Sequence, residues 1–302
     1  MSYTDARTGA ALIERTDRAV ARLFGRDPVR IIQGLATNDV ANAPVDTPVY
    51  CGFLTPKGKL IGDARVMRRA NGEVWVEADV RALENLEAHF KKSVPPLFAR
   101  VERMTDVNVV GVYGPRSNET DLPAELKLAT SYTGVTGFDF LVRGEAALPD
   151  LPRLSFDELE TLRIEAGSPR WGAELTEDVI PLEAGLRQTA ISETKGCYTG
   201  QEVIIRILHR GHVNRHLRGL LLGDAPVPAA GASLTRAADG KVVGAITSAT
   251  KSPLLQQTIA LGYVRREVSP GERVEVDGAE AVVVELPFEK QEHEGISRVR
   301  SA

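Results

Sequence analysis

The chain has 302 residues, 43% hydrophobic and 26% charged, which supports a large core and spans about two ordinary domains of ~150 residues. Thirty-seven Lys and Arg against 41 Asp and Glu leave a net charge of −4, so net charge points to neither nucleic acid nor an anionic membrane. Cys51 and Cys197 are too few and too far apart for a disulfide framework or a cysteine zinc cluster, and no stretch approaches the ~20 apolar residues of a membrane span. The expectation is a soluble protein of the reducing cytoplasm, with no membrane partner.

Asp27-Pro28 joins a capping acid to a proline suited to the first helical position, and predicts a helix through VRIIQGLA. VYCGFL, LIGDARVMRR and EVWVEA, separated by Thr55-Pro56-Lys57-Gly58 and Asn71-Gly72, read as antiparallel strands joined by tight turns. Over residues 80 to 92, Leu83, Leu86 and Phe90 share one helical face, and ARVERMTDVNVVGVYG then resumes a strand pattern. The loop-rich stretch 115 to 155 holds the strand GFDFLVRG, after which Ser155 and Glu158 stand in capping-box register ahead of a helix. From His216 onward, five or six short runs divided by Gly and Pro predict a small β-barrel. The fold class is therefore α+β, with lobes at 1–105 and 106–215, a barrel at 216–288 and a charged, mobile tail at 289–302.

No GxGxxG after a strand, GxxxxGK[ST] or HExxH occurs, which leaves dinucleotide, P-loop and zincin chemistry without support. The segment Lys195-Gly196-Cys197-Tyr198-Thr199-Gly200-Gln201-Glu202 stands out. Thr199 and Glu202 have capping-box spacing for a helix that Gly211 ends, so Cys197 sits just before a helix start, where the dipole and Lys195 favour a thiolate. That thiol is either reactive or metal-binding, or simply packs; for Glu202, capping suffices. Downstream, His209, His212, His216, Arg206, Arg210, Arg215 and Arg218 make 206–218 locally cationic, fit for a phosphate, a polyglutamate tail or RNA, or else a solvated helix end. These histidines and Cys197 lack a standard ligand spacing, so no metal is assigned. Asp63 and Glu165 lie among apolar residues and need hydrogen-bond partners or a ligand, while Trp171 either fills core or stacks on a flat ring.

Residues 195 to 202 resemble the KGC[FY]xGQE signature of YgfZ-type folate-binding proteins, relatives of the glycine-cleavage T protein (GcvT aminomethyltransferase). The resemblance continues through QGLATNDV, FLTPKGKLIGDARV, RIEAGSPRWGAELTEDVIPLEAGL and RGHVNRHLRGL. It implies a GcvT-like ring of α+β lobes around a central channel for tetrahydrofolate, a C-terminal barrel, and a role in iron–sulfur cluster assembly or repair in client enzymes, tRNA-modifying ones among them. It casts Cys197 and Lys195 as the chemical groups, and Glu165, Asp63, Gln201 and Glu202 as folate contacts, with Glu165 on the pterin ring. The alternatives are an aminomethyltransferase of the glycine-cleavage type and an RNA-binding module using 206–218. Gly62 replaces one acid of the T protein's paired-acid turn, and its YTGExG becomes Tyr132-Thr133-Gly134-Val135-Thr136-Gly137, two departures that weigh against aminomethyl transfer.

Overall fold

The computed structural model describes residues 2–145 and 147–288; the expected tail at 289–302 lies outside the described residues. The chain opens with α1 (Ser2–Thr8) and β1 (Ala11–Glu14), then builds a five-stranded antiparallel sheet from β2 (Arg18–Gly25), β3 (Val49–Leu54), β4 (Leu60–Arg68), β5 (Val74–Asp79) and β6 (Ala99–Arg103) in the order β3-β4-β5-β2-β6. Two helices interrupt it, α2 (Pro28–Leu35) and α3 (Val80–Ser93). Asp27 caps α2 by accepting from the Arg30 amide, with Pro28 in the first turn, as the local sequence predicts.

A second antiparallel sheet of four strands, in the order β1-β7-β9-β8, contains β7 (Val107–Tyr113), β8 (Leu126–Thr130) and β9 (Gly137–Arg143). The expected division near residue 105 therefore cuts across the sheets: β1 leaves the first lobe and pairs with β7, Ala11 opposite Tyr113. The stretch after α4 (Phe156–Glu165) also crosses over. Through α5 (Arg187–Ala190) and α6 (Gln201–Arg210), residues such as Leu175, Ala190, Tyr198 and Ile204 join the core of the first sheet. Backbone bonds such as Ser192 N to Thr37 O (3.0 Å) tie the last third of the 106–215 stretch to the first lobe.

The C-terminal part is a closed six-stranded barrel, in the order β10-β13-β12-β11-β14-β15, formed by β10 (Arg215–Leu221), β11 (Ser233–Arg236), β12 (Val242–Ser252), β13 (Gln257–Arg265), β14 (Arg273–Val276) and β15 (Ala279–Val284). Closure removes the free strand edges, and Leu220, Leu234, Ile246, Ala260, Val274 and Val283 fill the interior. Among the described residues, no helix is long and apolar enough to cross a membrane.

Strand periodicity decides what the first sheet offers to the rest of the molecule. On β4, Gly62, Ala64 and Val66 face α3; a Cβ on Gly62 would lie 2.9 Å from the Leu86 side chain. Asp63, Arg65 and Met67 face the other way. Met67, Trp75 and Val20 pack on Val109, Leu128 and Leu141 of the second sheet. The same face thus begins apolar, becomes ionic at Arg65, Glu77 and Arg18, and ends at a cavity bordered by Asp63 and Tyr50.

Candidate functional site

A cavity of about 600 Å³ lies where the two sheets, the segment after α4 and the barrel meet. The first sheet supplies Arg18, Tyr50, Asp63 and Arg65, and the second supplies Tyr132 and Asp139. Gly167 to Trp171 close one side, and Leu217, Arg218 and Leu286 of the barrel close another. Trp171, 6% exposed, packs in the core and also borders the cavity.

Asp63 is the focus of this cavity. Tyr50 Oη donates to its Oδ2 at 2.9 Å, while its Oδ1 is enclosed and has no hydrogen-bond partner among the described residues. Burial pushes the Asp63 carboxyl above the usual carboxylate range, although the nearby Arg18 guanidinium pulls it down. Burial, reinforced by the Asp63 carboxylate, likewise holds the Tyr50 phenol well above its ordinary range, keeping it a donor.

Behind this pair runs a buried ionic chain. Glu77, fully enclosed, takes Arg18 on both oxygens (2.6 and 2.9 Å) and Arg65 Nε at 2.7 Å. Burial alone would raise the Glu77 carboxyl, but the two guanidiniums outweigh it and hold the group far below the carboxylate range. Arg65 Nη2 then crosses to Asp139 Oδ2 at 2.7 Å, and Asp139 Oδ1 accepts from Tyr113 Oη at 2.6 Å. The Tyr113 ring reaches that position because residue 111 is glycine: a Cβ there would stand 2.4 Å from the phenol oxygen.

Of the expected chemical and folate-contact residues Asp63, Glu165, Lys195, Cys197, Gln201 and Glu202, Asp63 alone borders the cavity. Glu165 is fully buried and committed elsewhere: Oε2 accepts from Tyr3 Oη (2.7 Å) and pairs with Arg7, and Oε1 accepts from Ser252 Oγ (2.5 Å) and the Leu254 amide (3.2 Å). It fastens α1, α4 and the barrel together and is not among the residues that line the cavity. Lys195 is also buried, its Nζ donating to the carbonyls of Gln33 (2.6 Å), Ala36 (2.7 Å) and Asn38 (3.0 Å) at the C-terminal end of α2. There it satisfies orphaned helix carbonyls and complements the dipole. Burial lowers its pKa to about 8.

Cys197 is exposed and lies outside the cavity. The expected Thr199 capping box is absent: α6 starts at Gln201, its cap is Gly200 at φ 83°, and no side chain caps it. A Cβ on Gly200 would lie 2.6 Å from the Thr55 carbonyl, so the motif's second glycine permits close docking on the β3–β4 turn. Gln201 and Glu202 also lie outside the cavity, and Glu202 pairs with Arg206 at 2.7 Å on the exposed face of α6. The 206–218 segment is not one cationic surface. Arg215 turns to Glu183 (3.2 Å) and the Tyr263 ring, and Arg218 to Glu285 (2.6 Å).

Sequence reasoning missed Tyr50, Arg18, Arg65 and Asp139. The available signal was the alternation of charge on otherwise apolar strands: Asp63 with Arg65, and Glu77 with Asp79.

The fold and its central cavity define a protein of the glycine-cleavage T-protein architecture. Residues 2–121 match the GCVT N-terminal domain, and residues 215–290 match the glycine cleavage T-protein C-terminal barrel domain. The two matches place an N-terminal and a C-terminal domain of the glycine-cleavage T-protein type within this one chain. It is similar to the aminomethyltransferase of Moorella thermoacetica, 29% identical over 93% of this chain and 87% of that one, and to that of Symbiobacterium thermophilum, 27% identical over 95% and 88%. Among solved structures, the glycine cleavage system aminomethyltransferase T from Bartonella henselae superposes with a TM-score of 0.82 at 20% identity, covering 95% of this chain and 88% of that one, which shows the shared fold.

Proposed function

We propose that the chain binds a reduced folate in the central cavity and acts on one-carbon groups carried at its nitrogens, as a folate-dependent transferase of the aminomethyl type. The observation that carries this reading is the free Oδ1 of Asp63, held by Tyr50 at the meeting point of three bodies. A lone buried carboxyl oxygen calls for an N–H donor, and the reduced pteridine is a flat ring bearing several. The aminomethyltransferase relatives support the same class.

A reduced folate would supply the nitrogen on which the one-carbon group is carried. Asp63 orients that nitrogen and, with its carboxyl raised by burial, holds or releases a proton at Oδ1. Tyr50 fixes the carboxyl plane through Oδ2, and Trp171, Leu217 and Leu286 exclude water around the ring. Incubation with tetrahydrofolate and an aminomethyl-lipoyl carrier should yield methylene-tetrahydrofolate, ammonia and the dihydrolipoyl carrier, with Asp63→Asn slowing turnover at least about 100-fold. Equal turnover by the variant would contradict the assignment.

The exposure of Cys197 favours a second reading, in which this folate-binding body also meets an iron–sulfur client through the 195–202 segment. Lys195 holds that segment on α2, and Cys197 stands clear for contact. Cys197→Ala should then keep folate affinity and fold while lowering activity of the client enzyme in cells; full client activity would remove this reading.

A further inference from the structure

The cavity wall has hydrogen-bonding capacity that a carboxylate–amine contact leaves unused. Arg18 and Arg65 both border the cavity, and Glu77, which joins them, sits behind them outside its lining. Arg18 uses Nε and Nη2 on Glu77; Arg65 uses Nε on Glu77 and Nη2 on Asp139. The Nη1 of each has no partner among the described residues, and unlike Asp63 Oδ1 neither is sealed from solvent. Arg15, also in the wall, is by contrast fully engaged, with Nε and Nη2 on Asp17 and Nη1 on Tyr113.

Most neighbouring acids are engaged as well, Asp79 by Arg81 among them, while Asp63 keeps Oδ1 open. Glu77 binds two guanidiniums, Asp139 binds Tyr113 and Arg65, and Asp17 binds Arg15. With Asp63 and Asp79 counted, acids outnumber Arg15, Arg18 and Arg65 along this wall, so the case for an anion rests on open valence and not on net charge: the Nη1 groups of two guanidiniums, each held at its other edge, are unused. Such a pair takes an acceptor-only group, and guanidinium geometry matches carboxylate oxygens. Because the side chains are already held by Glu77 and Asp139, little rotamer freedom remains to be lost on binding.

We infer that Arg18 and Arg65 form an anion subsite of the cavity that takes a carboxylate, supplied either by the glutamyl tail of the folate or by a separate small carboxylate-bearing co-substrate. The inference deepens the folate reading and rests on it for the identity of the ligand, though not for the existence of the subsite.

The test titrates the protein, at constant ionic strength, with acetate alone, with tetrahydropterin lacking the tail, and with tetrahydrofolate. Wild type is compared with the paired variant Arg18→Gln/Glu77→Gln, which removes one cation and the anion it shares with Arg65. Arg65→Lys, which keeps charge but loses the planar fork, serves if the pair fails to fold. Acetate should bind saturably to wild type and about fivefold or more weaker to the variant. If the tail is the source, tetrahydrofolate should exceed tetrahydropterin by about tenfold in affinity, compete with acetate, and lose that advantage in the variant. If a co-substrate is the source, acetate should bind alongside tetrahydrofolate. No saturable acetate binding, or equal binding to wild type and variant, overturns the subsite. Acetate binding with no binding of either pterin overturns the folate reading and leaves the subsite standing.

Discussion

Arg65 Nη2 lies 2.7 Å from Asp139 Oδ2, an ion pair that spans the two sheets of the molecule with both side chains nearly buried. It continues through Glu77 to Arg18 and through Tyr113 to Arg15, so one wall of the cavity is also the joint between the sheets. Affinity and stability are therefore coupled at this wall.

Breaking that chain at its centre should be severe. Glu77→Gln leaves two buried guanidiniums without their shared anion, and should lower unfolding free energy by about 3–5 kcal/mol in chemical denaturation. The sign with pH follows from the depressed Glu77 carboxyl: its stabilisation is present above the carboxyl's unfolded value of 4.5 and is lost as pH falls towards the folded one. Wild type should lose stability on acidification below that value more steeply than Glu77→Gln, as denaturation at a series of pH values would show. Parallel acid profiles would contradict the role of Glu77.

Gly111→Ala adds one methyl group against the Tyr113 ring and should displace the phenol from Asp139. A loss of about 1–3 kcal/mol is expected from overpacking. Tyr113→Phe in the Gly111→Ala background should add little further loss, because the bond is already broken; additive losses in this double-mutant cycle would contradict the coupling.

Lys195→Met removes three charged hydrogen bonds to the end of α2 and should destabilise by about 2–3 kcal/mol, with tetrahydrofolate affinity little changed because the group lies away from the cavity. With burial lowering the Lys195 pKa from the ordinary 10.5 to about 8, the unfolded chain binds more protons between those values. This group's contribution to stability thus rises with pH across that window, and the rise should vanish in the variant. A variant of full stability that fails to bind folate would place Lys195 at the site instead.

Glu165→Gln separates a latch from a ligand contact. It weakens the junction of α1, α4 and the barrel, so thermal unfolding should fall by several degrees while the folate dissociation constant stays within about twofold. A large affinity loss with unchanged melting would restore the pterin-contact role.

The sequence carried much of this architecture through local physics. The Ser155–Glu158 capping box forms, the Asp27 cap forms, and the runs after His216 close into the barrel. Asp63 was legible as a carboxylate among apolar residues that needs a partner or a ligand, and it borders the cavity. The pairing of β1 with β7 was not legible, since four residues carry little periodicity and their partner lies about a hundred positions away. The hydrogen-bond partners of Glu165 and Lys195 were not legible for the same reason. Their partners, at residues 3, 7, 252 and 254 for one and 33, 36 and 38 for the other, come from distant chain segments that no local pattern announces.

The most direct measurement is a crystal structure of the protein with tetrahydrofolate. The reduced ring should lie between Trp171 and the first sheet, with a ring or bridging nitrogen within hydrogen-bond reach of Asp63 Oδ1 and the Tyr50–Asp63 bond retained. Ligand density on the outer face beside Cys197, with the central cavity filled by solvent alone, would contradict it.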